Sequence, residues 1–466
     1  MHITTISIDL GASFTKVGFR LGCAPTAGQP FEFEARVLTI SGDALIPSLA
    51  VKTNQDRLPW LFGQDAADSR RGPGLEFCTN WKKGLYRPDN DAEAVKSAII
   101  AHRFFEWLRI NLTPVTDEWS TVRVRVTLPA FGYAAKLEGV VRRCMNLAGW
   151  EPYELTFSTE PHANAIGLLT LGRNVVNRGR MSRTVDLGRM LGYGNPYLEQ
   201  ARAVVLRDSH KRILRLAIID IGAFTTDVAR LDFDVAAPEA NSDGLTHIQP
   251  DSFPVGIHED LDMAFWNGLA ERYGPVNEQL TFREQESLKH ALFARRTYGL
   301  IVKSHSWIIG GADDQSVVEE VSQQFAEEIW RNIGSLFGSN TADVVFLTGG
   351  GSQIAPLVQA LQERLPSIKS DRLAVAAPTT SGGIEWKPWR NSDQPIERVA
   401  TAIGAVSVLP PTELIQTVGM MGDLGERSDV DNSAERINPR GERIRTCTCQ
   451  GNPDCPRCGG TGYLPY

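Results

Sequence analysis

Hydrophobic positions along the first part of the chain alternate between the period of a strand and that of a helix. Residues 3–10 and 15–21 have strand character around a Gly-Ala-Ser turn, which predicts a hairpin. The stretch TVRVRVTL (121–128) alternates apolar and polar residues and ends at Pro129. A helix that closes near Gly149 is predicted next. Its apolar residues recur every three or four positions: Leu137, Val140, Val141, Cys144, Leu147 and Ala148.

The second part of the chain repeats this arrangement. Apolar residues 213–219 predict a strand that runs into DIGAFTTDVA, and residues 344–347 predict a strand that runs into TGGGS. A long amphipathic helix is predicted between them from Val318, Val321, Phe325, Ile329, Ile333 and Leu336. Strands that end in polar, glycine-containing turns and alternate with helices are typical of an α/β fold that binds ligands at its strand ends.

Length and charge narrow the class of protein. With 466 residues the chain exceeds one ordinary domain, so two or more lobes are expected. A formal net charge of -7 argues against general binding of nucleic acid or membrane surfaces, because such binding needs clustered Lys and Arg. The sequence has no run of eighteen apolar residues and no signal-peptide pattern at its amino end, which predicts a cytoplasmic protein.

Acidic residues at strand ends suggest the chemistry. Asp220 and Asp227 flank the sequence Ile-Gly-Ala-Phe-Thr-Thr, and a buried strand gains no stability from carboxylates at its end. Backbone N–H groups in glycine-rich turns can hold a polyphosphate, but carboxylates at the same turns would repel it. A hydrated Mg²⁺ ion between acids and phosphate removes this conflict, because Mg²⁺ retains much of its water shell. The paired acids therefore predict a metal.

Five motifs in order over roughly the first 410 residues resemble the actin-like ATPase superfamily, and within it the nucleotide-binding domain of the heat-shock-protein-70 (DnaK) family. Weaker supporting pieces are IPS (46–48), FGQDAAD (62–68) and ESLK (286–289). The five motifs are similar to the first phosphate, first connecting, second phosphate, adenosine and second connecting segments: IDLGASFTKVG (8–18), VTLPAF with LAGW and TEPHANAIG (126–167), IDIGAFTTDVA (219–229), LTGGGSQIAP (347–356) and VATAIGAV (399–406).

The resemblance implies a ribonuclease H-like, two-lobed α/β fold with an ATP or ADP site in a cleft between the lobes. Lobe I would comprise residues 1–212 with an insertion at about 173–212, and lobe II residues 213–398. A helix at 399–410 would return to lobe I.

The resemblance also implies roles at matching positions. Asp9 and Asp220 would bracket the water shell of Mg²⁺, with Asp227 as a nearby acid, Glu160 as the acid that follows the first connecting segment and Pro129 as a switch proline. Lys82 or Lys83 would reach the transferred phosphoryl group. The phosphates would contact Gly11, Ala12, Ser13, Gly222 and Thr225, and Thr225 could also place the attacking water. The nucleoside would contact Glu286, Lys289, Gly349, Gly350, Gly351, Ser352 and Gln353.

Three departures from the family pattern affect these expectations. Ala223 and Phe224 occupy the middle of a turn that is usually glycine-rich, which predicts slow hydrolysis or binding alone. Gln353 stands where an arginine often stacks on adenine. The chain after Val406 is too short for the family's β-rich peptide-binding domain, so a protein of this kind would not hold clients in the usual way.

The last twenty residues, 447–466, contain four clustered cysteines: Cys447, Cys449, Cys455 and Cys458. Two close pairs of thiolates suit tetrahedral Zn²⁺, and the glycines permit tight turns. The run CPRCGGTG is similar to one repeat of the zinc region of DnaJ-type co-chaperones. Redox-active cysteines and metal-free cysteines remain alternatives. Composition predicts that residues 411–446 form a flexible linker before this zinc ribbon.

The leading hypothesis is an ATP-binding and ATP-hydrolysing switch of the heat-shock-protein-70 type. Its protein partner would bind the zinc tail or the arginine-rich stretch at 173–189, which can also be a solvated loop. Alternatives are a filament-forming actin-like ATPase, a non-hydrolysing nucleotide-binding scaffold and a small-molecule kinase. The sugar- or acid-binding carboxylate expected of such a kinase is not recognisable, which makes it the least favoured.

Overall fold

The computed structural model confirms a mixed α/β protein. It describes these residues: 2–23, 35–55, 59–87, 91–116, 121–130, 134–176, 213–234, 245–302, 305–337, 342–364, 373–375, 396–407, 436–437, 443–446 and 463–465. Among the helices in these ranges, none combines the length and the apolar character needed to span a bilayer.

The strands of the first half are β1 (His2–Leu10), β2 (Phe14–Cys23), β3 (Ala35–Leu38), β4 (Ile46–Pro47), β5 (Ala50–Thr53), β6 (Trp60–Phe62), β7 (Leu75–Cys78), β8 (Thr121–Leu128) and β9 (Glu154–Thr159). The main sheet has the order β3-β2-β1-β8-β9, with β4 added to β2. β1 is antiparallel to β2 and parallel to β8, and β9 is parallel to β8. β5, β6 and β7 form a separate small sheet.

The strands of the second half are β10 (Ile213–Ile221), β11 (Thr226–Asp234), β12 (Leu245–Phe253), β13 (Tyr298–Val302), β14 (His305–Ile309), β15 (Val344–Thr348) and β16 (Leu373–Val375). Their main sheet has the order β12-β11-β10-β15-β16. β10 is antiparallel to β11 and parallel to β15. The two main sheets therefore share both strand order and strand directions, which is an internal duplication.

The first half contains the helices α1 (Gly63–Ala67), α2 (Trp81–Gly84), α3 (Ala92–Thr116), α4 (Ala134–Met145) and α5 (Glu160–Val176). The second half contains α6 (Asp262–Tyr273), α7 (Phe282–Phe293), α8 (Ala312–Ile333), α9 (Ala355–Arg364) and α10 (Ile396–Ser407). Each main sheet has its own hydrophobic core, because α3 and α4 pack with β1 and β8, whereas α6, α8 and α9 pack with β10 and β15.

Helix α10 follows the second sheet in the chain but packs against the first. Ser7 Oγ donates to Ala402 O (2.6 Å), and the buried Arg125 donates through Nη1 to Ala405 O (2.7 Å). Arg20 donates to Val406 O (2.9 Å). Cationic donors at the last carbonyls of a helix satisfy groups that have no partner within the helix and offset its dipole. These contacts fix α10 on β1, β2 and β8.

Helices α5 and α10 cross at very short range. A Cβ on Gly404 would lie 1.7 Å from Ala163 O, and a Cβ on Gly167 would lie 1.9 Å from Ala400 O. Only glycine fits at either position without displacing backbone. The crossing holds the amino-terminal part of α5 beside both main sheets.

The carboxyl-terminal strands β17 (Arg436–Ile437), β18 (Arg443–Thr446) and β19 (Tyr463–Pro465) form a third small sheet. β17 and β18 fall within 411–446, the range for which composition predicts a linker. β18 pairs antiparallel with β19, with Thr446 opposite Tyr463. This pairing brings together the two ends of the segment that carries the four clustered cysteines. Those cysteines, and the arginine-rich residues 177–189, lie outside the described residues.

Candidate functional site

The first strand places Asp9 near the turn between β1 and β2. The register sets Asp9 opposite Lys16 on β2 and beside Thr127 on β8. Lys16 Nζ donates to Asp9 Oδ2 (2.9 Å), and Thr127 Oγ1 donates to Asp9 Oδ1 (3.3 Å). Burial opposes the charge of Lys16, but Asp9, with smaller contributions from Asp220 and Glu160, raises the pKa of the ammonium. One cation therefore faces three acids.

Asp220 occupies the equivalent position in the second sheet, near the end of β10. Asn164 of α5 donates to Asp220 Oδ2 (2.7 Å), and Thr401 of α10 donates to the same oxygen (3.5 Å). Burial raises the pKa of Asp220 to about 7; Lys16 opposes this rise, whereas Asp9 and Glu160 add to it. Asp9 and Asp220 are thus close enough to interact electrostatically, although they belong to different sheets.

Glu160 begins α5 and forms a buried ion pair with a lysine of α2. Lys82 Nζ lies 2.9 Å from Glu160 Oε1, and the side chains are 5% and 11% exposed. Burial raises the pKa of Glu160, the charge of Lys82 opposes this, and the charge of Asp9 adds to it. Of the two candidate lysines, Lys82 is therefore the one that belongs to the acidic cluster, which we define as Asp9, Asp220 and Glu160.

Lys83 contacts a different group. Its Nζ donates to both carboxylate oxygens of Glu259 (2.6 and 2.5 Å) and lies 5.6 Å from the ring centroid of Phe224. The Phe224 ring is buried and lies 5.5 Å from the ring of Tyr86. Phe224, the bulky residue in the turn between β10 and β11, is therefore accommodated by packing against Lys83 and Tyr86 of the first half.

Asp227 lies at the start of β11 and is fully engaged in hydrogen bonds. Thr225 Oγ1 donates to Asp227 Oδ2 (2.8 Å), and Ser252 Oγ donates to the other oxygen. Ser252 also accepts from the main-chain N–H of Ala130, the residue after Pro129 (2.7 Å). Burial raises the pKa of Asp227 well above its usual value, and the charges of Glu160 and Asp220 add to the rise.

The main chain of the first glycine-containing turn is held by hydrogen bonds from Ser48. In the turn between β1 and β2, Ser48 donates to Gly11 O through its hydroxyl (2.7 Å) and to Ser13 O through its main chain (2.8 Å). Ala12 lies between these two braced residues and is partly exposed. This turn is therefore held in place without its own side chains.

The second glycine-containing turn is braced by the segment that follows β12. Between β10 and β11, Gly222 O accepts from Ile257 N (3.0 Å) and Ala223 O accepts from His258 N (2.8 Å). The main-chain N–H of Gly222 is itself bonded to Thr225 O (2.9 Å). One candidate phosphate-binding N–H is thus already bonded in each turn, because the N–H of Gly11 in the first turn donates to Asp9 O (3.0 Å).

A third turn follows β15. Gly349 has φ 78°, and a Cβ there would lie 2.2 Å from Asp220 Oδ1. The residues Gly350–Gln353 form a short 3-10 helix, in which Ser352 Oγ donates to Gly349 O (2.8 Å) and Gln353 Nε2 contacts Ser352 Oγ (3.1 Å). The third turn is thus in direct contact with the acid at the end of β10.

Glu286 and Lys289 lie on α7 in a chain of ionic contacts. Lys289 Nζ is 2.5 Å from Glu286 Oε1 and 2.7 Å from Asp262 Oδ2, and His258 Nδ1 is 3.3 Å from the same Asp262 oxygen. His258 also holds the second turn through its main chain. The candidate nucleoside residues are therefore linked to the candidate phosphate turn.

Further ion pairs join α7 to the first half. Arg283 Nε lies 2.6 Å from Asp68 Oδ1, and Arg70 Nη2 lies 2.7 Å from Glu284 Oε1. These four side chains are mostly well exposed, so each pair contributes little to stability by itself.

Two residues central to this cluster were missed by the sequence analysis. Lys16 faces Asp9, and a lysine near the start of a predicted strand was the available signal. Asn164 donates to Asp220 and Thr401 and accepts from Thr348 Oγ1 (3.3 Å), so it joins α5, β10, α10 and β15. It stands within TEPHANAIG, but no spacing rule assigned it a role.

Among the residues that the structure describes, no three His, Cys, Asp or Glu side chains are placed to ligate one metal ion directly. A scan against protein-family models and a search of curated proteins found no match to the chain.

Proposed function

We propose that the protein binds MgATP in a cleft between two actin-like lobes, hydrolyses it, and acts as a switch on a protein partner. The observation that carries the proposal is the electrostatic interaction between Asp9 and Asp220, each near the end of the first strand of one main sheet, with Lys16 paired to Asp9 and attracted by Asp220. The proposal of two lobes is also supported by the fold, because both main sheets have the same strand order. The proposed lobes are residues 1–212 with 399–410, and residues 213–398.

The acids suit a hydrated divalent ion better than a directly ligated one. Mg²⁺ holds much of its water shell, and waters between the ion and the carboxylates fit acids that already accept bonds from Lys16 and Asn164. The ion would stabilise negative charge on Asp9 and Asp220 and on the phosphates. Lys16 would supply a positive charge for a triphosphate bound at the turn between β1 and β2.

The remaining residues divide into positioning and electrostatic roles. Hydrolysis of a phosphoanhydride depends mainly on orientation and charge, since the protein performs little covalent chemistry. Glu160 holds Lys82 where a cation can offset charge developing on the transferred phosphoryl group. Asp227 holds Thr225 close to the second turn, where a hydroxyl can orient water.

The test is single-turnover hydrolysis of ATP, measured with Mg²⁺ and with EDTA on the full chain and on Asp9→Asn. We expect hydrolysis that requires Mg²⁺ and falls at least about 100-fold in Asp9→Asn, a loss typical of removing one preorganised charge interaction. ATP binding with no hydrolysis in the wild type would instead favour a scaffold. Nucleotide-dependent pelleting would favour a filament-forming ATPase, and no binding would overturn the proposal.

A structural zinc ion at the carboxyl end is the second part of the proposal. The pairing of β18 with β19 sets Thr446 opposite Tyr463, the residues on either side of the segment 447–462 that contains all four cysteines, and this supports one shared zinc site. A segment this short cannot bury a core, so the metal would supply its folding energy, about 10 to 16 kcal/mol in comparable peptides. All four ligands would be protein sulfurs, which leaves no open catalytic position and suits a docking role.

Removing two of these thiolates is expected to release the metal. The full chain should bind about one zinc ion, and the double variant Cys455→Ser with Cys458→Ser should bind almost none, as measured by elemental mass spectrometry. Hydrogen exchange at the residues of β18 should accelerate in the same variant. Cys78→Ser is the control, because Cys78 is buried in the first half and should not alter zinc content. Full zinc retention in the double variant would contradict the prediction.

A further inference from the structure

Arg398 is a cationic side chain whose hydrogen-bonding groups are not used by the rest of the described structure. Its guanidinium carbon lies 5.6 Å from the ring centroid of Phe14, the first residue of β2, directly after the turn between β1 and β2. The Phe14 ring in turn lies 5.7 Å from the ring of Phe282, the first residue of α7. The side chain therefore lies where α7, α10 and the first turn converge.

The surroundings of Arg398 leave its donors unmatched. The residue is only partly exposed, and within the described ranges it donates no hydrogen bond and forms no ion pair. A guanidinium carries five N–H donors. Arg398 interacts electrostatically with two residues of α7. Burial lowers the pKa of Arg398 and the charge of Glu286 opposes this, while Arg398 adds to the effect of burial in lowering the pKa of His290.

The charges and rings around Arg398 favour a flat, uncharged ligand over a phosphate group. Lys289 is already paired with Glu286 and Asp262, so the positive and negative charges near Arg398 are almost balanced and offer no strong attraction to a multiply charged anion. Arginine stacks well on planar aromatic groups, and Phe14 already supports one side of the guanidinium. A planar heterocycle with acceptor nitrogens would use both the flat surface and the free donors.

We propose that Arg398 binds the nucleobase of the nucleotide, by stacking against a purine ring and donating hydrogen bonds to acceptor atoms at its edge. This inference rests on the proposed function and adds a residue from α10 to the nucleoside side of the site. The Phe14 ring would then pack against the guanidinium and keep it in place. Glu286 and Lys289 would lie beside the nucleoside.

The experiment compares two ligands that differ only in the nucleoside. Calorimetric titrations of MgATP and of magnesium tripolyphosphate would be made on the full chain and on Arg398→Lys, which keeps the charge but loses the flat, forked geometry. We expect MgATP affinity to fall about tenfold and tripolyphosphate affinity to change less than about twofold. Arg398→Ala should weaken MgATP at least as much. Arg295→Lys, at an exposed arginine paired with Glu319, is the control.

The outcomes separate the two ideas. Unchanged MgATP affinity in both variants, or equal weakening for MgATP and tripolyphosphate, overturns the role of Arg398 while leaving nucleotide binding intact. A wild-type chain that binds neither ligand overturns the proposed function itself. Thermal unfolding of each variant identifies loss of fold, and the lysine variant remains informative if the alanine variant is unstable.

Discussion

Replacing Lys82 by glutamine is expected to slow single-turnover hydrolysis of MgATP about 100-fold, which corresponds to ~2.7 kcal/mol of lost transition-state stabilisation. Lys82 is buried and bonded to Glu160, in the same electrostatic cluster as Asp9 and Asp220. Glutamine retains a donor for Glu160 but removes the positive charge. Affinity for MgATP should change much less than the rate, because the charge is needed chiefly as the phosphoryl group departs.

The neighbouring lysine provides the matched control. Lys83→Gln removes a side chain that is about a third exposed and bonded to Glu259, so we expect less than a threefold change in rate and at most ~1 kcal/mol in stability. Both variants carry the same change in net charge. If Lys83→Gln proved to be the slow variant while Lys82→Gln hydrolysed ATP normally, the assignment of roles to the two lysines would be wrong.

Replacing Asp220 by asparagine is expected to stabilise the metal-free protein at pH 8. The pKa of Asp220 is about 7 in the folded protein and 3.8 for the free side chain, chiefly because of burial. Its contribution to stability is therefore complete below pH 4 and is lost as the pH rises through 7. Asparagine has no charge to bury, so its advantage should grow over this window to ~2–4 kcal/mol.

Urea unfolding in EDTA at pH 4.5 and pH 8 measures this difference directly. Asp65→Asn, at an exposed residue of α1, should change the free energy of unfolding by less than ~0.5 kcal/mol at either pH. Addition of Mg²⁺ and ATP should reduce the advantage of Asp220→Asn, because a bound cation favours the ionised wild-type carboxylate. An advantage of the same size at both pH values would show that the charge of Asp220 is not its cause.

Local patterns predicted the elements near the site well. Strict alternation gave Thr121–Leu128 without error, and the helix expected around Val318 to Leu336 is α8 with a short 3-10 continuation. Such patterns are readable because one face of each element is buried. They do not reveal partners from distant parts of the chain. The pairing of Thr446 with Tyr463 spans a cysteine segment that composition alone described as a tail.

The site residues show the same limit. Asp220 could be found because a buried strand gains no stability from a carboxylate at its end, and Asp9 because its motif resembles a phosphate segment of the actin-like ATPases. Lys16, Asn164 and Arg398 could not, since their roles depend on which residues face them across β2, α5 and α10. The choice between Lys82 and Lys83 likewise required three-dimensional structure, because adjacent residues in a short helix point in different directions.

The return of α10 to the first sheet has a consequence for biosynthesis. Ser7, Arg20 and Arg125 are synthesised long before the residues whose carbonyls they bind, which lie between positions 402 and 406. The first main sheet therefore lacks the cover that α10 provides until that helix has been synthesised. Contacts of such long sequence separation slow folding and expose apolar surface. A nascent chain stalled before α10 should consequently be a strong client for ribosome-associated chaperones.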